Sequence, residues 1–200
     1  IYAADHGLAV GSHGLLGKQS LYEHSMRCPL IMAGPDIPAG VESFSFTYLF
    51  DVYPTICDLL GVDPPEGLAG HSLRPLFDSP ETQVRDSVFL AYRNLMRSVR
   101  DQRWKLLKYP QVNHTQLFDL ENDPDEMHNL ANDPAQADRL AQLTQKMAEW
   151  QMKVGDKQPL AVDSPQPLRR DLTGTPRQPD QWQPRWIVEK YFESTTPAQN

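Results

Sequence analysis

The hydrophobic period changes along these 200 residues, and the changes mark out elements. Between Asp133 and Gly155 the apolar residues Leu140, Leu143, Met147 and Trp150 recur at three- and four-residue intervals, one stripe of a helix. Asp133 supplies an N-cap, Pro134 the first helical position, Gln136 a capping-box partner and Gly155 the stop. Upstream, Ser87–Tyr92, Met96–Arg100, Trp104–Tyr109 and Gln116–Asp119 are short β-prone runs divided by turn residues. They predict a small antiparallel sheet, and packing on that sheet is the expected fate of the helical stripe, a partner surface being the alternative.

The first part of the chain reads differently. An apolar strand from Ile1 runs into Asp5-His6-Gly7, then a loop with Gly11, Gly14 and Gly17, then a second buried strand from Pro29 to Ala33 that ends at Gly34-Pro35. Polar residues at the carboxyl end of a buried strand are where open α/β sheets place their ligands. Asp51 can cap a helix from Val52 to Leu60, with Pro54 in its first turn, Val52, Ile56, Leu59 and Leu60 on one face and Gly61 as its stop. After Asp156 the sequence is proline-rich and polar and predicts an extended tail. Trp182, Trp186, Ile187, Tyr191 and Phe192 are its apolar exceptions, able to pin it to the body or to a second subunit. The pattern divides the chain into residues 1–85, an α/β sheet portion, residues 86–155, an antiparallel sheet with a helix, and residues 156–200, the tail.

Composition narrows the function classes. With 40% hydrophobic residues the chain can bury a core, although a mean hydropathy of -0.54 and 18 prolines imply many loops. No apolar run approaches the roughly 20 residues of a membrane-spanning helix. A net charge of -7 argues against a nucleic-acid partner, yet leaves an anionic small substrate open, because a cation makes a pocket locally positive whatever the net charge. Cys28 and Cys57 match no metal or disulfide spacing and read as buried thiols. The chain opens on Ile1-Tyr2-Ala3-Ala4 as if inside a strand, which suggests a fragment whose export signal, if any, lies upstream.

The chemistry concentrates between Asp5 and His24. Asp5 offers a hard oxygen and His6 a neutral nitrogen to a divalent cation, although a turn closed by an Asx hydrogen bond uses the same residue types. Two ligands leave such a site incomplete. The glycines let the chain fold tightly and return Lys18 toward Asp5 and His6, where an ammonium group would meet a sulfate or phosphate oxygen; otherwise Lys18 is a solvated surface lysine. His13 and His24 read either as pocket residues or as structural histidines.

Asp5-His6-Gly7, Gly11-Ser12-His13-Gly14, Gly17-Lys18, Leu21-Tyr22-Glu23-His24 and Arg27-Cys28-Pro29-Leu30-Ile31 resemble, in order and spacing, the second signature block of sulfatases in the alkaline-phosphatase-like superfamily. Asp51-Val52-Tyr53-Pro54-Thr55 resembles the family's helix entry and Gly70-His71-Ser72-Leu73 its glycine-rich turn. Gln116 to Pro124, with Glu126 and Asn129-Leu130, resembles the segment before its last helix. The resemblance covers about Ile1 to Ala131. It implies the C-terminal part of an alkaline-phosphatase-like α/β domain, followed by the small antiparallel sheet and helix. It further implies Asp5 and His6 as ligands of a divalent metal, Ca2+ by resemblance, Lys18 and His13 as catalytic-pocket residues, and a sulfated small molecule or glycan as substrate. Several relatives carry Asn where this chain has His6. The family nucleophile is a formylglycine made within Cys-x-Pro/Ala-x-Arg. Cys28 is followed by Pro-Leu-Ile-Met and Cys57 by Asp-Leu-Leu-Gly, so the formylglycine is expected in an N-terminal part outside these residues, and the isolated chain is expected to be inactive. Secretion or a periplasmic location is implied only by the family.

Two other readings stand beside this one. A phosphonate monoester or phosphodiester hydrolase of the same superfamily shares the Asp-His and Lys arrangement, and sulfate and phosphate are nearly isosteric. A non-catalytic homologue that binds sulfated glycans is the other, against which the joint presence of Asp5, His6 and Lys18 argues. Asn113-His114-Thr115 also fits an N-glycosylation acceptor.

Overall fold

The structure is a computed structural model and describes residues 1–169, 171–176 and 178–193. It divides into two units, Ile1–Gln166 and Pro167–Asn200. Residues 156–166 belong to the first unit, where side chains tie them down. Arg97 donates from Nε and Nη2 to the two carboxylate oxygens of Asp156, at 2.6 and 3.0 Å. Asn113 forms two 2.8 Å bonds with the backbone of Val162, one through its amide nitrogen and one through its oxygen.

The centre of the first unit is a four-stranded antiparallel meander, β5 (Val88–Tyr92), β6 (Met96–Arg100), β7 (Trp104–Tyr109) and β8 (His114–Asp119), in sequence order. The register lays Phe89, Val99, Leu106 and Leu117 in one row across the sheet. That row is covered by Leu143 and Met147 of α4 (Ala137–Val154), with Leu140 and Trp150 beside them, as the helical period requires. Burying each such side chain contributes roughly 1.5–3 kcal/mol. Asp133 Oδ1 accepts the Ala135 N–H at 3.0 Å, a single turn of 3-10 helix follows, and Gly155 closes α4 in the left-handed region at φ 69°.

The opposite face of the sheet is covered as well. Leu21 and Tyr22 pack there on Met96, Leu107 and Phe118. The segment that carries the candidate chemistry is thus the second layer over the sheet, so the parts read as residues 1–85 and 86–155 share one core.

Two readings of the first part need correction. The runs read as buried strands form a ribbon of two residues each, β1 (Tyr2–Ala3) paired with β4 (Leu30–Ile31), and Tyr2 and Ile31 are 66% and 61% exposed. An apolar run looks the same in sequence whether or not a layer lies over it. Asp51 precedes α2 (Val52–Leu60) as expected, but its carboxylate does not cap that helix. Fully buried, it accepts two bonds from the Arg85 guanidinium at 2.6 and 2.8 Å, and the N–H groups of Tyr48 at 2.6 Å and His71 at 2.9 Å. The glycine-rich turn at Gly70 is therefore a strap over α2, continued by the Leu73 N–H on Thr55 Oγ1 at 2.9 Å.

In the second unit, α5 (Arg185–Val188) runs on into a turn through Glu193, and Arg185 pairs with both Glu189 and Glu193. Among the described residues no helix is long and apolar enough to cross a membrane.

Candidate functional site

The site begins with a glycine whose place admits no β-carbon unless the backbone shifts. A β-carbon on Gly7 would lie 2.0 Å from the His24 carbonyl oxygen, and the Gly7 N–H donates to the Ser25 carbonyl at 2.8 Å. Asp5-His6-Gly7 is thereby pressed against α1 (Glu23–Met26). From there the chain makes a hairpin, β2 (Ala9–Val10) against β3 (Leu16–Gly17), with Ala9 opposite Gly17. Gly17, at φ 124°, holds a conformation that side chains resist and releases the chain into Lys18. Continuing the register sets residue 18 across from residue 8, two positions from His6.

The consequence is the juxtaposition that the glycines suggested. Lys18 Nζ lies 2.6 Å from His6 Nε2, and Asp5 Oδ2 lies 3.4 Å from the same nitrogen. His6 Nδ1 is 2.7 Å from the Gly7 carbonyl oxygen, which can only accept, so Nδ1 carries the ring proton. Nε2 is then a lone pair, to which the Lys18 ammonium donates.

The donor set also fits a share of a divalent-cation site: one hard oxygen and one neutral imidazole nitrogen on adjacent residues. Among the described residues no cluster of three or more His, Cys, Asp or Glu is suited to a metal, so these two side chains do not by themselves make a metal site. Asp5 and Arg100 also line an open cleft of about 1050 Å³ between the 26–50 segment and the sheet.

His13 makes its contacts elsewhere. Its ring stacks on Tyr22 at 4.0 Å and 5°, its Nε2 donates to the Asp125 carbonyl at 3.0 Å, and His24 lies tilted beside it at 5.6 Å. Among the described residues these, and not Asp5, His6 or Lys18, are its partners. Burial, and then the proximity of His13 and Lys105, push the His24 imidazole below its ordinary value, while Ser20 Oγ lies 3.3 Å from its Nε2.

Beneath this layer sits an ionic cluster. Lys105, its side chain 1% exposed, pairs with Glu23 at 3.0 Å and Glu126 at 2.7 Å, and Arg100 closes on the other oxygen of Glu23. Glu126 Oε2 also accepts the Glu23 N–H at 2.7 Å. Burial raises both carboxyls. In Glu23 the two cations outweigh it and the group sits below its ordinary value, whereas in Glu126 burial prevails over Lys105 and the group sits above. Glu23 and Glu126 lie in the signature motifs, but Lys105 and Arg100 do not. The register pairs them directly on the face opposite the apolar row, and a lysine flanked by Trp104 and Leu106 was the available signal.

The fold is that of the C-terminal part of a sulfatase. A structure solved in complex with its substrate D-glucosamine-2-N,6-O-disulfate superposes with a TM-score of 0.74 at 28% identity, over 80% of this chain and 35% of that one. The family model described as N-sulphoglucosamine sulphohydrolase, C-terminal, matches residues 11–153, and the chain belongs to that family. Arylsulfatase K of Rattus norvegicus is 36% identical over 149 residues, 66% of this chain and 26% of that protein. The phosphonate monoester hydrolase of Silicibacter pomeroyi is similar in fold too, with a TM-score of 0.67 at 27% identity over 76% of this chain and 34% of that one. The chain spans about a quarter of the length of the arylsulfatase K relatives it matches.

Proposed function

We propose that the protein carrying this chain hydrolyses sulfate esters of a small molecule or sugar, with Asp5 and His6 as two ligands of a divalent cation, expected to be Ca2+, and Lys18 as the residue that binds the sulfate group. The supporting observation is the convergence of three side chains on one point: Lys18 Nζ at 2.6 Å and Asp5 Oδ2 at 3.4 Å from His6 Nε2, although Lys18 follows His6 by twelve positions in the chain. The family membership and the sulfated substrate named for the similar solved structure support the choice of ester.

The residues divide the work by charge. Lys18 presents a point charge to a sulfate oxygen and holds it while negative charge grows there. His6 keeps its proton on Nδ1 through Gly7, which leaves Nε2 free to donate its lone pair to a cation. Asp5, largely exposed, supplies a charged oxygen on the same side. A bound divalent cation would withdraw charge from the ester oxygens, and the formylglycine, expected outside these residues, would be the nucleophile. Export from the cytoplasm belongs to the same proposal.

Hydrolysis of an aryl sulfate by the intact protein tests it. Lys18→Ala is expected to lower kcat/KM by about 10²–10³, the usual loss for one positioned charge-stabilising donor. Wild-type hydrolysis of the matched aryl phosphonate, faster than of the sulfate, would favour the phosphonate monoester hydrolase reading that the Silicibacter pomeroyi neighbour supports. Unchanged turnover in Lys18→Ala would remove the assigned role of the lysine.

A further inference from the structure

The turn between β8 and α4 grips both ends of the segment that carries Lys18. Asp123 closes this turn by accepting the N–H groups of Met127 at 3.0 Å and His128 at 2.8 Å. Within it Glu126 is held in the left-handed region, φ 57°, which costs a residue with a β-carbon on the order of 1–3 kcal/mol. The strained geometry presents two neighbouring acceptors to the same stretch of chain. The Asp125 carbonyl takes the His13 Nε2–H at 3.0 Å, and Glu126 Oε2 takes the Glu23 N–H at 2.7 Å. His13 and Glu23 stand symmetrically about Lys18 in the sequence. Glu126 Oε1 is itself anchored at 2.7 Å to Lys105, which is rooted in the middle of the sheet.

A second path runs from the same cluster to the other partner. Glu23 is the first residue of α1, and it is against the His24 and Ser25 backbone of α1 that Gly7 is pressed. Whatever fixes Glu23 therefore fixes Asp5-His6-Gly7 on one side and the end of the Lys18 segment on the other. Replacing a buried ion pair by a well-packed apolar group is often neutral for stability, so a lysine at 1% exposure between two carboxylates points to a role in fixing geometry.

We propose that the Asp125-Glu126 turn is a clamp that sets Lys18 against His6, with Glu126 as its positioning residue and Lys105 as the anchor. The inference rests on the proposed function only for what the positioned group does, and its test uses no turnover, so either can fall without the other.

The test compares the wild-type chain with Glu126→Ala/Lys105→Met, which removes the clamp without stranding a buried charge because Glu23 keeps Arg100, and with Glu126→Gln, which keeps an oxygen for the Glu23 N–H. Amide hydrogen exchange and nuclear Overhauser contacts are the readouts. In the double variant the Gly11 and Leu15 amides are expected to exchange at least about tenfold faster. The contact between the Lys18 methylenes and the His6 ring is lost, while Val99 and Leu106 keep their protection. Glu126→Gln retains both the contact and the hairpin protection. Two results overturn the clamp: a double variant that keeps the Lys18–His6 contact, or one in which Val99 and Leu106 lose protection together with the hairpin. The second would make the cluster a general stabiliser of the sheet.

Discussion

A β-carbon at Gly7 would meet the His24 carbonyl oxygen at 2.0 Å, backbone against backbone, so no rotamer change can relieve the clash. Gly7→Ala is therefore expected to cost about 1–3 kcal/mol in urea unfolding of the chain, the range for overpacking, and to move Asp5 and His6 off α1. The same variant made in the intact protein should lose activity beyond its loss of stability. At this scale the sequence was partly legible. Asp5, His6 and Lys18 were named from residue type and from glycines that permit a tight return, and the structure does bring them together. His13 shares their residue types but stacks on Tyr22 and donates to the Asp125 carbonyl, a contact fixed by the fold of a distant turn.

Among the elements, the four strands lie where the period placed them, within two residues at each end, and α4 lies on its predicted stripe but begins three residues later than Pro134, after a 3-10 turn. Their signal is local: the apolar stripe and the cap are complete within one stretch of chain. Asp51 shows where local signals mislead. An acid before a helix reads as its cap, yet this one is the buried partner of Arg85 and joins α2, the Tyr48 turn and the Gly70 strap. Asp51→Ala is accordingly expected to cost about 3–5 kcal/mol, the range for stranding one member of a buried ion pair, and not the roughly 1 kcal/mol of a lost cap. Thermal or denaturant unfolding of the chain distinguishes the two, and a loss near 1 kcal/mol would restore the capping role.

Over the whole first unit, long-range ion pairs tie the ends to the sheet, and they carry a pH dependence. The Arg103 guanidinium, followed by Asn122 and the Glu121 N–H, holds Asp119 down to about 2 against an ordinary 3.8. Arg97 holds Asp156 lower still relative to the same value. A carboxyl lowered by folding binds protons more readily in the unfolded chain. Its stabilisation is therefore complete above the ordinary value and is lost as pH falls through the folded one. The urea midpoint should decline as pH drops from about 4 toward about 2, and Asp119→Asn should show a shallower decline from a lower neutral-pH midpoint. An identical slope in the variant would mean that other groups govern the acid limb.

The sequence by itself determined the periods, and with them the meander, the covering helix, the glycine hairpin and the motif that marks the family. These follow from neighbours a few residues apart, whose spacing states which faces are apolar and where the chain can turn. What lies over each face was decided only in three dimensions. Tyr2 and Ile31 carry the signature of a buried strand and are exposed, whereas Lys105 carries the signature of a solvent-facing position and is buried. An apolar side chain reads the same with or without a covering layer. A charge becomes affordable in the interior only when its counter-charge arrives, here from Glu23, 82 residues away along the chain.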